Sequence, residues 1–284
     1  MNALYRCLGI SKQAVSQQQV RDKAFVHKMR QILPKVDKIR EAQPGKGLHK
    51  VYLDVAPDFI GRDRFINYMM ELGYRVKRTP NHRRTTYAGK TVYPNLIHGL
   101  QVKAPSTVWQ SDITYIQACG RHYYASFIID VYTRNIVGYH LAGHMRATGN
   151  LQALKMALKN HKAPKIHHSD RGSQYGSKLY LSALKDANTK VSMGLCAQEN
   201  AYAERINRTI KEEYLQYWKP KNLAQLKAMV KKAVYNYNHK RQHLSLDKLT
   251  PVAFEEKWHE SNNTSKPILT IFDYRVKPKT VNTN

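Results

Sequence analysis

Acidic residues are scarce in this chain. Its 284 residues include 20 Asp and Glu against 47 Lys and Arg, which gives a formal net charge of +27. Such an excess of positive charge excludes an ordinary enzyme that acts on uncharged metabolites as the default interpretation. A polyanion is the natural partner, because Lys and Arg release condensed counterions from a phosphate backbone. The charge therefore predicts that the protein binds nucleic acid.

Cysteine is scarce as well. The three cysteines, Cys7, Cys119 and Cys196, are odd in number and far apart in the sequence. This spacing argues against a disulfide framework and against a zinc site built from paired cysteines. Any catalytic metal ion must therefore be held by oxygen ligands or by histidine.

Long apolar runs are absent. No stretch approaches the roughly 18 consecutive apolar residues that a membrane span needs, and the N-terminus lacks the apolar segment of a secretory signal. The sequence thus predicts a cytoplasmic protein with no membrane partner. Its hydrophobic content of 42% allows one substantial core together with smaller modules.

The N-terminal region, residues 1–74, has the pattern of a small helical module. Residues 8–16 combine a glycine turn with Ser11 as a helix cap, which predicts the second half of a helix-turn-helix motif. A plain amphipathic helix running toward Leu33 fits these residues at least as well. A second helical pair is predicted at 48–55 and 62–72. We interpret the whole region as a helix-turn-helix-like DNA-binding module.

Residues 75–107 form a basic stretch. No Asp or Glu occurs between Gly73 and Ser111. A segment of like charge repels itself unless an anion lies beside it, so we predict a linker that lies along DNA phosphates and not a folded unit. The residues predicted to contact DNA here are Arg75, Lys77, Arg78, Arg83 and Arg84.

From residue 108 the pattern becomes that of an α/β domain. Three neighbouring runs rich in Val, Ile, Tyr and Phe are followed by an alternation of helices and strands, which predicts a mixed five-stranded sheet flanked by helices. The predicted strands are 108–116, 123–131, 135–141, 165–168 and 190–193. The predicted helices are 148–159, 177–186, 201–217, one capped by Asn222, and one from Thr250 to Trp258. This core occupies 108–258, and residues 259–284 form a C-terminal tail with one strand-like piece at 268–272.

Three carboxylates need an explanation in a chain so poor in acid. Asp112 interrupts an apolar strand, where an unpaired charge is costly. Asp170 follows the strand at 165–168, and Glu204 lies on a later helix. Such carboxylates can converge on two Mg²⁺ ions ~4 Å apart, an arrangement that activates a nucleophile and stabilises a leaving oxygen in phosphodiester chemistry. Hard oxygen ligands suit Mg²⁺, with Mn²⁺ as its substitute.

Each acid, taken singly, also has a purely structural explanation. Asp112 would pair with an arginine, and Asp170 would hold a turn. Glu204 would bridge to Arg208 on the surface of its helix. Only the three together favour a metal site. Asp130 closes a strand before a turn, and we interpret it as structural.

The segments around these acids resemble those of a known family. They are WQSDITY at 109–115, FIID at 127–130, IVGY at 136–139, HSDRGSQY at 168–175, SM at 192–193 and ENAYAE at 199–204, followed by Tyr235, Asn236, Arg241, His243, Thr250 and Pro251. Together they resemble the DDE transposases and integrases, whose core is like that of retroviral integrase and RNase H. More narrowly, they resemble the second-frame (OrfB-type) transposases of a large bacterial insertion-sequence family. The match covers about residues 105–258, and the preceding helices resemble the family's helix-turn-helix portion more loosely.

The resemblance implies an RNase H-like fold for the mixed sheet and a catalytic triad of Asp112, Asp170 and Glu204. Asp112 would bridge two Mg²⁺ ions, and each of the other two acids would complete one metal site. Thirty-three residues lie between Asp170 and Glu204, slightly fewer than is usual in the family. Glu199 stands where an aspartate is common, and helical phase favours Glu204 as the ligand.

The resemblance also implies DNA contacts beyond the basic stretch. Asn207, Arg208 and Lys211 follow Glu204 at +3, +4 and +7 on the predicted helix, and their positions face DNA in related integrases. The implied partners are double-stranded DNA, at transposon terminal repeats and target, and further copies of the chain that pair the two ends. A helix-turn-helix protein from an upstream frame is a further candidate, and the implied location is the bacterial nucleoid.

The implied function is Mg²⁺-dependent transposition. An activated water would free a 3′-hydroxyl at the transposon end, and that hydroxyl would attack another phosphodiester. Two alternatives stay open. A DNA-binding regulator that catalyses no reaction would not need the carboxylates. An RNase H-type nuclease would share the core but would not join strands.

Overall fold

The structure is a computed structural model that describes residues 9, 11–76, 92–118, 120–194, 197–262 and 266–271. The chain divides into two compact units, Met1–Lys77 and Arg78–Asn284. Among the residues of the basic stretch that were predicted to contact DNA, Arg75 is described and exposed. Lys77, Arg78, Arg83 and Arg84 lie outside the described residues.

The first unit is helical, as predicted. Its helices are α1 Lys12–Ala42, α2 Leu48–Val55 and α3 Arg62–Glu71. Ser11 caps α1 by accepting a hydrogen bond from the backbone N–H of Ala14 at 3.0 Å. Helix α1 continues without a break for 31 residues, in agreement with the alternative of a plain helix. The first helix of the helix-turn-helix motif would fall on residues 1–8, which lie outside the described residues, so that interpretation stays a prediction. The three helices pack around a core of Met29, Val36, Val51, Phe65 and Met69.

The described part of the second unit has a five-stranded mixed sheet and a separate two-stranded sheet. Its strands are β1 Gln101–Val102, β2 Val108–Ala118, β3 Arg121–Asp130, β4 Ile136–Ala142, β5 Ile166–Ser169, β6 Lys190–Met193 and β7 Leu269–Thr270. Its helices are α4 Ala147–Asn160, α5 Lys178–Asp186, α6 Ala201–Ile210, α7 Gln216–Trp218, α8 Leu223–His239 and α9 Pro251–Glu260. The five-stranded sheet has the order β4-β3-β2-β5-β6, in which β2–β3 and β3–β4 are antiparallel while β2–β5 and β5–β6 are parallel. The predicted mixed five-stranded sheet is confirmed.

Helices cover both faces of this sheet. On one face, Phe127 of the sheet packs with Ile206 of α6 and Tyr237 of α8. On the other face, Trp109 and Ile128 belong to a core that includes residues of α4 and α5. Strand β2 lies between these two layers and is buried along most of its length. Side chains of β2 therefore project into protein on both sides.

The predicted helix at 201–217 is helical but not uniform. After α6 comes a π-helical turn, Lys211–Leu215, and then the short helix α7. Within the turn, Glu213 forms a two-point ion pair with the guanidinium of Arg241, both distances being 2.7 Å. Arg241 follows α8 and is 5% exposed. A single helical period cannot predict a π turn, because the turn inserts one extra residue.

Part of the predicted linker and tail belongs to the folded unit. Ile97 and Val102 are fully buried, and β1 pairs antiparallel with β7 from the predicted tail. Residues 92–107 therefore do not form an extended linker. The charge of the segment suggested a linker, but its apolar side chains join a separate core with Phe254 of α9.

No helix within the described ranges combines the length and the apolar character that a membrane crossing requires.

Helix α4 lies directly against strand β4 at Gly138. A β-carbon on Gly138 would lie 2.4 Å from the carbonyl oxygen of Ala153 and 2.8 Å from the β-carbon of Ala157. We predict that Gly138→Ala lowers the free energy of unfolding by about 2 kcal/mol or more, because backbone must move to admit the methyl group. Urea denaturation measures this change.

Gly149→Ala is the matched control. A β-carbon on Gly149 would find its nearest atom at 3.5 Å, and alanine favours a helix by up to about 1 kcal/mol over glycine. The control variant should be as stable as the parent or more stable. Equal stability of the two variants would contradict the close approach of α4 to β4.

Candidate functional site

Asp112 lies near the middle of β2, the central strand. Its carboxylate accepts two hydrogen bonds, from the backbone N–H of Ile113 at 2.9 Å and from Nδ2 of Asn207 at 2.7 Å. The side chain is half-buried. Among the described residues, no arginine forms a salt bridge with Asp112. The explanation that Asp112 pairs with an arginine therefore fails.

Asp170 lies beside the same part of β2. It follows β5, which runs parallel to β2 with Ser169 opposite Ser111. One residue beyond this pair on each strand are Asp112 and Asp170, so the sheet itself makes them neighbours. Asp170 also accepts a hydrogen bond from the backbone N–H of Gly172 at 3.0 Å. The predicted turn role is therefore real and coexists with a position beside Asp112.

Glu204 comes from a different element. It lies in the first turn of α6, which packs on β2 and β3, and its side chain is exposed. We call Asp112, Asp170 and Glu204 together the candidate site. Its members come from the central strand β2, from the end of the neighbouring strand β5 and from a helix that packs on β2 and β3. The sequence predicted two strand carboxylates and one helix carboxylate.

The three acids of the candidate site interact electrostatically. Burial raises the pKa of Asp112 from 3.8 to about 8, with further increases from the charges of Asp170 and Glu204. Burial also raises the pKa of Glu204, against the opposing charge of Arg208, and Asp170 raises it further. The three acids thus lie near one another, and none of them forms a salt bridge among the described residues, although Arg208 and Lys211 interact electrostatically with Glu204 and Asp112, respectively.

The donor atoms of this site suit a hard divalent cation. Carboxylate oxygens are the ligands that Mg²⁺ prefers, and Mg²⁺ retains several waters when it binds. Next to Asp112, the buried amide oxygen of Asn207 has no hydrogen-bond partner among the described residues and is available to such a water. In the arrangement described, no three acidic, histidine or cysteine side chains are grouped as metal ligands. Side-chain rotation would therefore accompany binding of a cation.

The three residues predicted to face DNA differ in their surroundings. Asn207 is 5% exposed and donates a hydrogen bond to Asp112, so its side chain faces the sheet, and its contact with DNA stays a prediction. Arg208 is exposed on α6. Lys211 is half-buried at the start of the π turn, where burial lowers the pKa of its ammonium group while Asp112 and Glu212 raise it.

Two polar residues that no role was predicted for connect β2 to α6. Gln110 is fully buried, and its Oε1 accepts hydrogen bonds from the backbone N–H groups of Tyr202 and Ala203 at 3.2 and 3.3 Å. Asn200 occupies the N-cap position of α6, but its side chain makes no hydrogen bond to the helix, and its Nδ2 donates instead to the carbonyl of Ser111 at 2.9 Å. The sequence signal for Gln110 was a glutamine within a predicted strand, two positions before Asp112.

Asp130 is structural, as interpreted from its place at the end of a strand. Its carboxylate accepts hydrogen bonds from the backbone N–H groups of Ser106, Tyr132 and Thr133 at 2.5, 2.9 and 3.0 Å. Burial raises its pKa to about 6, and these three donors oppose that increase. The carboxylate thus fixes the turn between β3 and β4.

Two parts of the chain match family models described as integrase core domain. The matched residues are 102–196 and 186–251. Together they span 102–251, which is more than half of the 284 residues. Asp112, Asp170 and Glu204 all lie within this span.

Similar proteins occur in bacterial insertion elements. The chain is 35% identical over 210 residues to the insertion element IS600 uncharacterized 31 kDa protein of Shigella sonnei, covering 71% of this chain and 77% of that protein. It is 31% identical over 193 residues to transposase InsF for insertion sequence IS3A of Escherichia coli, covering 65% of this chain and 67% of that protein.

The fold is similar to one found in a solved viral assembly. A chain in the simian T-cell lymphotropic virus intasome, solved in complex with PP2A regulatory subunit B56 gamma, has a TM-score of 0.51 and 15% sequence identity. The similarity covers 83% of this chain and 80% of that one. The mixed five-stranded sheet flanked by helices is thus the RNase H-like fold of retroviral integrase cores, as predicted.

We predict that Asp112→Asn changes how stability depends on pH in the metal-free protein. Because the folded state raises the pKa of Asp112 to about 8, this residue favours folding below pH ~4, and that contribution is lost as the pH rises from about 4 to 8. The variant has no ionisable group at this position, so its stability does not decrease in this way as the pH rises. Its stability relative to the parent should increase by about 1 to 2 kcal/mol between pH 5 and pH 8, allowing for partial solvent access.

Urea denaturation in EDTA at the two pH values measures this difference. Asp130, which also titrates in the window, is present in both proteins and cancels. A difference in stability between variant and parent that stays constant with pH would show that the repulsion at Asp112 is absent.

Proposed function

Because the chain belongs to the bacterial insertion-sequence transposases that carry an integrase core domain, we propose that it is a DDE transposase in which Asp112, Asp170 and Glu204 bind two Mg²⁺ ions at the reaction centre. Transposases of this family are polynucleotidyl transferases. The proposal extends that family activity to the metal, to the residues that hold it and to the two steps of the reaction.

One observation carries the proposal. Asp170 and Glu204, 34 residues apart in the sequence, both act on the pKa of Asp112. A chain with a net charge of +27 leaves three carboxylates in mutual repulsion at one place on its sheet. Such a concentration of negative charge is costly to the apoprotein and is useful where a cation is to be held.

The proposed reaction has two in-line displacements at phosphorus. Water first frees a 3′-hydroxyl at the transposon end, and this hydroxyl then attacks a second phosphodiester. When bound, the metal ions supply Lewis-acid stabilisation of the attacking and leaving oxygens. Asp112, Asp170 and Glu204 are the residues that would hold these ions. Asn207 orients Asp112 by holding its Oδ2.

The proposed partners follow from the charge and from the family. Double-stranded DNA provides the transposon terminal repeats and the target, and at least two copies of the chain pair the two ends. Arg208 and Lys211 contact the DNA beside the reaction centre, together with the basic stretch that includes Arg75. A helix-turn-helix protein from an upstream frame is a further candidate partner. We place the protein in the bacterial cytoplasm, at the nucleoid.

We predict that Asp112→Asn, Asp170→Asn and Glu204→Gln each reduce cleavage of a terminal-repeat duplex by at least about a hundredfold, because each removes a charged ligand. The assay incubates the purified chain with a labelled duplex in Mg²⁺ or Mn²⁺ and separates cut from joined products. Glu199→Gln, which changes the acid just before α6, is the control and should retain activity.

The products also separate the alternatives. Joined strands support the transposase, and cleavage without joining supports an RNase H-type nuclease. DNA binding without cleavage, unchanged in all three variants, supports a regulator. Loss of activity in Glu199→Gln with retention in Glu204→Gln would show that the wrong glutamate was assigned.

Arg208 gives a test of the DNA path. We predict that Arg208→Gln weakens binding of duplex DNA and reduces the salt dependence of affinity by about one unit of slope, because one phosphate contact is lost. Lys159→Gln removes the same charge from an exposed position on α4, which covers the other face of the sheet, and should leave the slope unchanged. Fluorescence anisotropy at several salt concentrations measures both. Equal slopes for the two variants would exclude Arg208 from the interface.

A further inference from the structure

Helix α6 begins without a cap of its own. Asn200 occupies the N-cap position, but its side chain makes no hydrogen bond to the free N–H groups of the first turn. An α-helix leaves its first N–H groups without partners inside the helix, and a side chain at the N-cap normally accepts from the second or third of them. In α6 those two donors belong to Tyr202 and Ala203.

Gln110 supplies the missing acceptor from the sheet. Its Oε1 receives both of these N–H groups, at 3.2 and 3.3 Å, while its Nε2 donates to the carbonyl of Glu199 at 3.2 Å. The side chain is 0% exposed. A buried amide with all its bonds directed to one short segment fixes the position of that segment, because any displacement leaves buried polar groups without partners.

The spacing of the contacts matches on the two elements. Gln110 and Asp112 lie two residues apart on one face of β2, which spans about 6.6 Å. Gln110 contacts Ala203, and Asp112 contacts Asn207 four residues later, which spans about 6 Å along a helix. Strand and helix are therefore in register at two consecutive points, and Glu204 lies between them on α6.

We infer that Gln110 is a positioning residue that caps α6 from strand β2 and thereby sets the place of Glu204 relative to Asp112. This inference rests on the proposed function only in taking both acids as ligands of one metal centre. Gln110 touches neither the metal nor the DNA in this role. It acts through the backbone of Tyr202 and Ala203.

Two variants separate positioning from general stability. Gln110→Met keeps the length and volume of the side chain and removes its polar atoms. Asn238→Leu is the control, because Asn238 is also a buried amide that bonds both backbone groups of a residue in another element, Ile136, at 3.0 Å each. It anchors α8 to the edge strand β4, so it tests the loss of similar bonds away from α6.

The first measurement is hydrogen exchange of the metal-free proteins. In Gln110→Met, the amides of Tyr202 and Ala203 should exchange about tenfold faster than in the parent, because two hydrogen bonds to them are lost. In Asn238→Leu they should exchange at the parental rate once the measured difference in global stability is subtracted. Unchanged exchange in Gln110→Met would overturn the inference.

The second measurement is binding of Mn²⁺ alone by calorimetry. Gln110→Met should bind Mn²⁺ about tenfold more weakly than the parent, in line with the loss of a residue that orients a ligand, whereas Asn238→Leu should bind it equally well. Equal weakening in both variants would show a merely structural role and overturn the inference. Neither measurement uses DNA, so absence of cleavage in the parent would contradict the proposed function without deciding the role of Gln110.

Discussion

The hydrogen bonds between strand β2 and helix α6 hold the candidate site together. Three carboxylates lie near one another there, and the charges of two of them add to the effect of burial in raising the pKa of Asp112. Helix α6 carries the one that is not attached to the sheet. Gln110 and Asn207 oppose the repulsion between these charges by bonding the two elements at successive points. Because β2 is paired on both sides, with β3 and with β5, the helix is held against the central strand of the sheet.

Two acids of the same unit show how surroundings separate their roles. Asp130 accepts three backbone N–H groups, which is typical of a carboxylate that stabilises a turn. Asp112 accepts two hydrogen bonds and lies near Asp170 and Glu204. Burial is the largest cause of the raised pKa of both acids, but the three donors hold the pKa of Asp130 to about 6, whereas the neighbouring like charges raise the pKa of Asp112 further, to about 8.

Local signals in the sequence predicted much of the fold and the positions of the three acids. The bounds of α2 and β6 agree with the predicted 48–55 and 190–193, because turn residues and apolar periodicity act within a few positions. The side-chain caps of Asn222 and Thr250 are confirmed for the same reason. The bonds from Gln110 to α6 join residues about 90 positions apart, and no local pattern encodes such a pairing. The pairing of β1 with β7 is of the same kind.

Asn207 illustrates a different limit. The spacing of +3, +4 and +7 from Glu204 predicted one stripe of residues, which the family resemblance implies to face DNA, but neighbours on a helix point about 100° apart. In the structure, Asn207 faces inward to Asp112, whereas Arg208 is exposed. Helical phase defines which residues share a side, whereas the packing of α6 on β2 decides which side is buried.

The distribution of charge determines how a DNA phosphate interacts with the candidate site. A surface rich in Lys and Arg attracts the phosphates of DNA, whereas the three acids of the candidate site would repel a phosphate. Arg208 on α6 moderates the charge of Glu204, but no cation of the chain bridges to Asp112 within the described residues. Under the proposed function, an exchangeable cation would lie between Asp112 and the phosphate. Strand β2 carries Asp112 and caps α6 through Gln110, so it would also set the distance between the acids that hold that cation.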